Sequence, residues 1–284
     1  MIKVKDLKYS YPGVAADTIK DISFNISEGE IFGFLGPSGA GKSTVQKILI
    51  KILAGYCGNV TVNEKELSLW KNNYYEKIGV AFEFPNLFSK FTALENLNFF
   101  AGLYSGKCAD PIELLEILGL EKDAKTLVSS FSKGMKMRLN FLRSIMHDPD
   151  ILFLDEPTSG LDPANSRRMK DVILQKKAEG KTIFLTTHDM HAADELCDRV
   201  AFIVDGQIVL TDSPSKLKMK SGERFAKVEY RTEDKLESIN IAVDQLGKDE
   251  KFKELLNSSS IETIHTLEAT LEDVFIETTG RRLV

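Results

Sequence analysis

A glycine-rich stretch constrains the fold of this chain more than any other feature of its sequence. Residues 33–44 read GFLGPSGAGKST and fit the pattern G-x-x-x-x-G-K-[ST], with Gly36, Gly41, Lys42 and Ser43 at the defined positions. A short apolar run precedes the stretch, and apolar residues at helical spacing follow it. The pattern therefore predicts a tight turn between a buried strand and a helix.

Such a turn predicts a nucleotide site. Its glycines let successive backbone N–H groups face one anion, and the start of the helix adds positive potential. Lys42 would reach the β- and γ-phosphates, and the Ser43 hydroxyl would ligate Mg²⁺. A glycine-rich turn that fits the pattern by chance is the alternative, and the strand and helix on either side disfavour it.

Short apolar runs alternate with helical patterns along the chain. The runs at 31–35, 151–154 and 182–185 read IFGFL, ILFL and TIFL, as in strands that are buried on both faces. Apolar residues at helical spacing predict a helix that ends near Gly55 and another that ends before Pro149. They are Val45, Ile48, Leu49 and Ile52 in the first helix and Met135, Leu139, Leu142 and Met146 in the second. This alternation predicts an α/β fold with a mainly parallel sheet.

Two acids follow the second apolar run directly. Asp155 would lie beside the glycine-rich loop, where it can hold Mg²⁺ through water. Glu156 can face the γ-phosphate and orient or deprotonate the attacking water. Two acids on a solvated loop are the alternative, which four preceding apolar residues make unfavourable.

Two further stretches place candidate residues near phosphate. Ser132 and Gly134 lie at the start of the predicted second helix, which makes a second anion-binding end. His188 follows the third apolar run, at the sheet edge where ligands of parallel sheets bind. An isolated histidine is more often structural, but this position favours a functional role.

Charge and cysteine content exclude several classes of protein. The formal net charge of −5 argues against a nucleic-acid-binding protein, so we expect no nucleic-acid partner. Three scattered cysteines favour free thiols over disulfides or a zinc site. No run approaches the ~18 apolar residues that cross a bilayer, and the N-terminus lacks the apolar core of a signal peptide. We therefore expect a cytoplasmic protein that reaches a membrane only through a partner.

The sequence changes character after Pro214. Before it, the Asp-Gly pair at 205–206 stands between two apolar runs and predicts a hairpin. Residues 215–221 (SKLKMKS) are polar and basic and indicate a linker. TLED at 270–273 resembles a capping box and predicts an amphipathic helix. Apolar residues alternate with charged ones as in a half-buried strand at Ala226, Val228 and Tyr230.

Taken together, these motifs resemble those of the ATP-binding cassette (ABC) ATPases, from about residue 2 to residue 213. GPSGAGKST at 36–44 resembles the Walker A loop, LFLDE at 152–156 the Walker B strand with its catalytic glutamate, FSKGM at 131–135 the LSGGQ signature, SGLD at 159–162 the D-loop, His188 the switch histidine and Tyr11 the aromatic that stacks on adenine.

The resemblance implies an ATPase with Glu156, His188 and Lys42 in catalysis and with ATP and Mg²⁺ as cofactors. The implied nucleotide contacts are Tyr11, Gly36, Pro37, Ser38, Gly39, Ala40, Gly41, Lys42, Ser43, Thr44, Ser132, Gly134 and Asp162. Two cassettes of this family stack head to tail, so Ser132 and Gly134 would serve the ATP held by a second subunit. The two subunits could be identical or different.

The resemblance also implies a P-loop NTPase fold of the ABC type. A domain at 1–214 would combine the mainly parallel core sheet, an N-terminal antiparallel β subdomain and a helical subdomain at about 85–148. Residues 215–284 would form a small C-terminal α+β extension.

Three positions depart from the family pattern. Glu83 stands where the family usually has a glutamine that contacts Mg²⁺ and water. A second carboxylate near the γ-phosphate adds a repulsion of about 4 kcal/mol at ~4 Å if the effective dielectric constant is near 20. Glu83 either swings out of the site, which we expect because Phe82 and Phe84 could anchor the loop elsewhere, or binds the metal directly. In the signature, Lys133 is a mobile cation or a solvent-facing side chain, and we assign Met135 to packing.

Less specific sequence features indicate the kind of transporter in which the ATPase acts. The tail ATLEDVFIETTG at 269–280 resembles that of ATPases paired with exporter-type (ABC-2) permeases, so we expect an export subunit on the inner face of the cell membrane. In transporter members, the region at 86–106 faces the membrane permease, which makes Leu87, Phe88 and Phe91 candidate contacts. An importer ATPase, a soluble mechanical ABC ATPase and a P-loop kinase are the alternatives.

Overall fold

The computed structural model describes residues 1–14, 16–220, 225–232, 235–258, 260–267 and 269–281. Within this part of the chain, residues group into two units, Met1–Ser213 and Pro214–Arg282. The helices and strands of the first unit are, in chain order, β1 (Ile2–Tyr9), β2 (Ile19–Ile26), β3 (Ile31–Leu35), α1 (Lys42–Leu49), β4 (Cys57–Val62), β5 (Lys65–Glu66), β6 (Ile78–Ala81), α2 (Ala93–Ala101), α3 (Pro111–Ile117), α4 (Lys133–Ile145), β7 (Ile151–Asp155), α5 (Pro163–Ala178), β8 (Thr182–Thr187), α6 (Met190–Leu196), β9 (Arg199–Val204) and β10 (Gln207–Asp212).

The central sheet of this unit has the strand order β10-β9-β3-β8-β7-β6. All neighbours pair in parallel except β9 and β10, which form an antiparallel hairpin at the predicted Asp205-Gly206 turn. Every residue of β3, β7 and β8 is buried, as their continuous apolar sequences predict for strands covered on both faces. The parallel α/β core expected from the sequence is confirmed.

A second, antiparallel sheet of order β2-β1-β4-β5 contains the N-terminal strands. Alternate residues of β1 and β2 are buried, so each strand has one face on the core. Phe24 of β2 packs on Phe32 and Phe34 of β3, with ring centroids 5.6 and 5.3 Å apart. These contacts join both sheets in one hydrophobic core, and the antiparallel N-terminal region implied by the resemblance is confirmed.

Three capped helices lie between β6 and β7. Thr92 and Glu95 form a capping box at the start of α2, Asp110 caps α3, and Ser132 caps α4 by accepting a hydrogen bond from Met135 N–H. The apolar stripe predicted for α4 is confirmed, since Leu139, Leu142 and Met146 are buried and Met135 is half-buried. The signature sequence FSKGM lies at the start of α4, the last of these three helices.

The structure corrects two predicted elements. Helix α1 ends at Leu49 rather than near Gly55, because Lys51 takes a left-handed backbone conformation (φ 63°) and Ile52 is 57% exposed. The predicted linker at 215–221 begins instead as a helix, α7 (Pro214–Lys220), whose Leu217 is buried. Residue 221 lies outside the described residues.

The second unit contains α7, β11 (Phe225–Thr232), β12 (Lys235–Ala242), α8 (Glu250–Ser258), β13 (Ile261–Leu267) and α9 (Leu271–Thr279). Its antiparallel sheet has the order β12-β11-β13. The alternation predicted for β11 is confirmed, since Ala226, Val228 and Tyr230 are buried. Val228 and Tyr230 pack with Ile241 and with Leu255 of α8. The capping box predicted at 270–273 is also present. Among the described residues, no helix combines the length and apolar character needed to cross a membrane.

Candidate functional site

A cavity of about 310 Å³ opens where β3, β7 and β8 end. Because these strands are parallel, their carboxyl ends meet at one edge of the sheet, where ligands of such folds bind. The lining residues are Pro37, Ser38, Gly39, Gly41, Lys42, Ser43, Thr44, Glu83, Asp155, Glu156 and His188. The structure thus brings the glycine-rich loop, both acids and the predicted histidine into one pocket.

The glycine-rich loop is held by close backbone packing. A Cβ on Gly36 would lie 2.2 Å from the carbonyl oxygen of Ile203, so only glycine fits there. Gly41 has φ 110° and directly precedes α1. The loop is also tied to the β9–β10 hairpin, because Gly206 N–H donates to the carbonyl of Ala40 at 3.1 Å. The start of α1 therefore faces the cavity in a fixed orientation.

Lys42 lies buried inside the loop. Its Nζ donates to the carbonyl oxygens of Gly36 and Pro37 at 2.6 and 3.0 Å. Burial lowers the pKa of the Lys42 amine, while the charges of Glu156, Asp155 and Glu83 act in the opposite direction. A phosphate in the cavity would give the amine a stronger partner than the carbonyls it now contacts.

Asp155 ends β7 as a buried carboxylate with two hydroxyl partners. Ser43 Oγ donates to Asp155 Oδ2 at 3.3 Å, and Thr186 Oγ1 donates to Oδ1. Thr186 Oγ1 also lies 3.2 Å from Oε1 of Gln46 on α1. The acid therefore connects the loop, the first helix and β8.

Glu156 is 5% exposed and has a left-handed backbone with φ 48°. Its Oε1 accepts hydrogen bonds from His188 N at 2.9 Å and His188 Nδ1 at 2.7 Å. Its Oε2 accepts one from Thr187 Oγ1 at 2.8 Å. Because an ionised carboxylate only accepts, Nδ1 carries the hydrogen in this contact.

Thr186 and Thr187 are residues that the sequence reasoning missed. Both are fully buried at the end of β8, and each donates to one of the two acids. The signal was present, because the pair stands directly before His188 at the end of a strand predicted to neighbour the acids.

The position of Glu83 differs from the expectation that its side chain leaves the site. It is half-buried and lines the cavity. Phe82 packs on the hydrophobic core, and its carbonyl accepts from Asn140 Nδ2 at 2.8 Å, whereas Phe84 is 73% exposed. Only Phe82 anchors the loop, and with Phe82 packed on the core, Glu83 lies at the cavity.

Tyr11 lies at the edge of the glycine-rich loop. Its hydroxyl is 3.2 Å from Thr44 Oγ1, and its ring meets that of Tyr9 edge to face at 5.1 Å. Beyond these contacts, Tyr11 is partly buried against the core.

The signature and D-loop residues do not line the cavity. Ser132 is exposed at the start of α4, and a Cβ on Gly134 would contact Leu161 and Gly160 at 3.3 and 3.5 Å. Asp162 is exposed and caps α5 by accepting from Asn165 N–H at 3.0 Å. Hydrogen bonds from Asn165 hold the pKa of the Asp162 carboxyl below its usual value. Within one chain, these residues thus lie apart from the glycine-rich loop.

Family models match both parts of the chain. One described as "ABC transporter" matches residues 19–159, and one described as "Fluoroquinolone efflux ABC transporter C-terminal domain" matches residues 224–268.

Curated relatives match over nearly the whole chain. The fluoroquinolones export ATP-binding protein of Mycobacterium tuberculosis (strain CDC 1551 / Oshkosh) is 54% identical over 284 residues, covering 100% of this chain and 94% of the relative. The Nod factor export ATP-binding protein I of Burkholderia pseudomallei (strain 1710b) is 34% identical over 287 residues, covering 94% and 93%.

Solved structures of ATP-binding cassettes share the fold. An ATP-binding subunit of an ABC transporter superposes with a TM-score of 0.70 at 26% identity, covering 78% of this chain and 92% of that one. A dimeric cassette in a post-hydrolysis state with ADP and Pi gives a TM-score of 0.68 at 26% identity, covering 75% and 98%. With the phosphate loop, the paired acids and the histidine assembled in one pocket, these matches establish that the chain belongs to the ABC transporter family, as one of its ATP-binding and ATP-hydrolysing subunits.

Proposed function

We propose that this chain is the ATPase subunit of an exporter and that it acts with a second cassette and a separate membrane permease. The two relatives reported above, at 54% and 34% identity, are both named as export ATP-binding proteins. These names favour export over the importer and soluble mechanical alternatives. The subunit would then lie on the cytoplasmic face of the membrane, bound through the permease.

One observation carries the proposed mode of action: the candidate phosphate ligands divide into two separate groups. The loop, both acids and His188 line one cavity, whereas Ser132 and Gly134 lie outside it. A second cassette, stacked head to tail, would bring its own Ser132 and Gly134 to this cavity. The dimeric state of a related cassette with ADP and Pi supports the same arrangement.

The ligand chemistry of the cavity fits Mg²⁺. The Ser43 hydroxyl and the Asp155 carboxylate face each other with 3.3 Å between their oxygens. Together with phosphate oxygens, these are the ligands that Mg²⁺ prefers. Bound there, Mg²⁺ would neutralise charge on the β- and γ-phosphates. We assign Ser43 and Asp155 as the residues that hold it.

The remaining cavity residues supply the acid–base chemistry. Glu156 would accept a proton from the water that attacks the γ-phosphate. Lys42 would exchange its two carbonyl partners for phosphate oxygens and stabilise the charge there. His188 holds one oxygen of Glu156, and its ring, which is 62% exposed, would be accessible to a facing subunit.

An aromatic cluster is the proposed contact surface for the permease. Phe88 packs with Phe91, Phe99 and Phe100 at centroid distances of 5.2, 4.8 and 5.8 Å. Phe88 and Phe99 are 44% and 43% exposed, and Leu103, whose N–H donates to the Phe100 carbonyl, is 65% exposed. The burial of such a surface against a partner would contribute to binding.

We assign residues 1–214 to the ABC ATPase domain, with its helical subdomain at about 85–148, and residues 215–284 to a C-terminal extension. The match of residues 224–268 to a fluoroquinolone efflux family supports a specialised role for this extension. Together with the 54% identical relative, it favours fluoroquinolone-type compounds as the exported class.

Export can be tested in drug-sensitive cells that co-express this chain and the membrane protein encoded beside it. We expect lower intracellular accumulation of a fluorescent fluoroquinolone than in cells with the permease alone. The matched control co-expresses the Glu156→Gln variant, which should behave like the permease alone because the permease needs ATP turnover. Equal accumulation in all three strains would contradict the assigned substrate class.

The Glu83→Gln variant should keep or raise the basal ATPase rate. Glu83, Asp155 and Glu156 line one cavity, so removal of one negative charge reduces repulsion of the γ-phosphate. The steady-state ATPase rate, measured over a range of Mg²⁺ concentrations, provides the check. A complete loss of turnover at every concentration would identify Glu83 as an essential metal ligand.

A further inference from the structure

Strand β8 ends in two adjacent threonines that contact the two adjacent acids of β7. Asp155 and Thr186 are register partners in the parallel pair, and Thr186 donates to Asp155. One residue further, Thr187 donates to Glu156 Oε2 at 2.8 Å. The strand pairing therefore gives each acid a hydroxyl of its own.

The single hydrogen of the Thr187 hydroxyl is committed to Glu156. The hydroxyl oxygen accepts a hydrogen bond from Asp189 N–H at 3.0 Å, so the O–H must point elsewhere. Glu156 Oε2 is its acceptor, and Thr187 is 1% exposed, which keeps water from competing. The neighbouring groups, Asp189 N–H and Glu156 Oε2, therefore determine that the Thr187 hydroxyl is the donor in this bond.

Among the described hydrogen bonds of Glu156, this bond is the one that holds Oε2. Both donors of His188 act on Oε1. The terminal torsion of a glutamate is intrinsically broad, so hydrogen bonds set it, and the two donors of His188 restrain it through Oε1 alone. A donor on the other oxygen adds a restraint at Oε2, so both ends of the carboxylate are held, and it leaves one lone pair of Oε2 for a further partner.

We propose that Thr187 is a positioning residue for ATP hydrolysis: its hydroxyl holds Oε2 of Glu156, while His188 holds Oε1, and it aims the free lone pair of Oε2 at the attacking water. This inference rests on the proposed role of Glu156 as general base. Thr187 itself touches neither water nor nucleotide in this role.

The Thr187→Val variant keeps the shape of the side chain and removes the hydroxyl. We expect kcat to fall about tenfold, as for a misaimed base, with KM for ATP within about twofold of wild type because Glu156 contributes little to ground-state binding. Thr187→Ser, which keeps the hydroxyl, should restore most of kcat. Thermal unfolding of each variant checks its folding, and Thr187→Ala replaces the valine variant if that one is unstable.

Thr182→Val is the matched control. Thr182 is at the opposite end of the same strand, is fully buried, and its hydroxyl also accepts a backbone N–H, that of Gly29 at 3.0 Å. The substitution removes an equivalent bond far from the cavity, so kcat should stay at the wild-type value. An equal loss of kcat in Thr182→Val and Thr187→Val would overturn the inference.

A second background separates positioning from a structural role. In a Glu156→Gln chain, adding Thr187→Val should change the residual single-turnover rate by less than about twofold, because no base is left to aim. A full tenfold loss there would show that Thr187 acts on something else and would overturn the inference. If Thr187→Val has wild-type kcat while Glu156→Gln is inactive, the inference about Thr187 is overturned and the role of Glu156 stands. Full turnover in Glu156→Gln would overturn the role of Glu156 as well.

Discussion

Replacement of Glu156 by glutamine should reduce ATP turnover by about two to four orders of magnitude, the usual contribution of a general base. Glutamine has the same shape, but its amide does not take a proton from water. The side chain is nearly fully buried and held by His188 and Thr187. Because the glycine-rich loop is untouched, ATP binding should persist, and uncleaved ATP should hold two subunits together.

Three measurements check this result: steady-state ATPase rate, equilibrium binding of ATP, and the elution volume of the variant with and without ATP and Mg²⁺. We expect a dimer only with ATP. Glu179→Gln is the control, since Glu179 directly follows α5 outside the cavity and pairs with Lys176 of that helix. Undiminished turnover in Glu156→Gln would remove this residue from the catalytic role.

Two inactive variants should recover activity when their subunits are mixed. Lys42→Ala removes the phosphate-binding amine from the cavity, and Gly134→Asp places a negative charge in the signature. A Cβ at residue 134 would have its nearest contact at 3.3 Å, so the aspartate fits with small adjustments. In a mixed dimer, one site would combine the intact loop of the Gly134→Asp chain with the intact signature of the Lys42→Ala chain.

Each variant alone should be inactive, and an equal mixture should recover up to about a quarter of the wild-type rate, since half the dimers are mixed and each has one intact site of two. The control mixes Lys42→Ala with Glu156→Gln. Both of these residues line the same cavity, so neither site of their mixed dimer is intact. Absence of recovery in the first mixture would indicate that each chain completes its own site.

The nucleotide loop, the two acids and His188 could be predicted because each depends on local sequence. A buried apolar run followed by a polar residue specifies a strand end, and parallel strand ends must meet at one edge of the sheet. The position of Glu83 was predicted wrongly, because it depends on which neighbouring phenylalanine packs on the core. The roles of Thr186 and Thr187 depend on the register between β7 and β8, which the sequence does not specify by itself.

The C-terminal part was predicted least completely. β11 was recognised by clear alternation, whereas β12 buries little of its length and offers no such pattern. The sequence predicts a linker at α7 because lysines at 216, 218 and 220 are typical of a solvated segment, although Leu217 between them is buried. Short helices gain most of their stability from tertiary packing, which local composition does not reveal.

The close packing around the glycine-rich loop affects how binding energy is used. Gly206 donates to Ala40, its own carbonyl accepts from Lys20 N–H at 2.8 Å, and a Cβ on it would lie 2.2 Å from the Thr18 carbonyl. The turn of the β9–β10 hairpin is thus packed between the glycine-rich loop and the N-terminal sheet. Protein contacts alone therefore hold the backbone of the loop in its anion-binding conformation. Little conformational entropy remains to be lost when a triphosphate enters. More of its affinity would therefore be available for the proposed closure of two cassettes, the step that would move a permease.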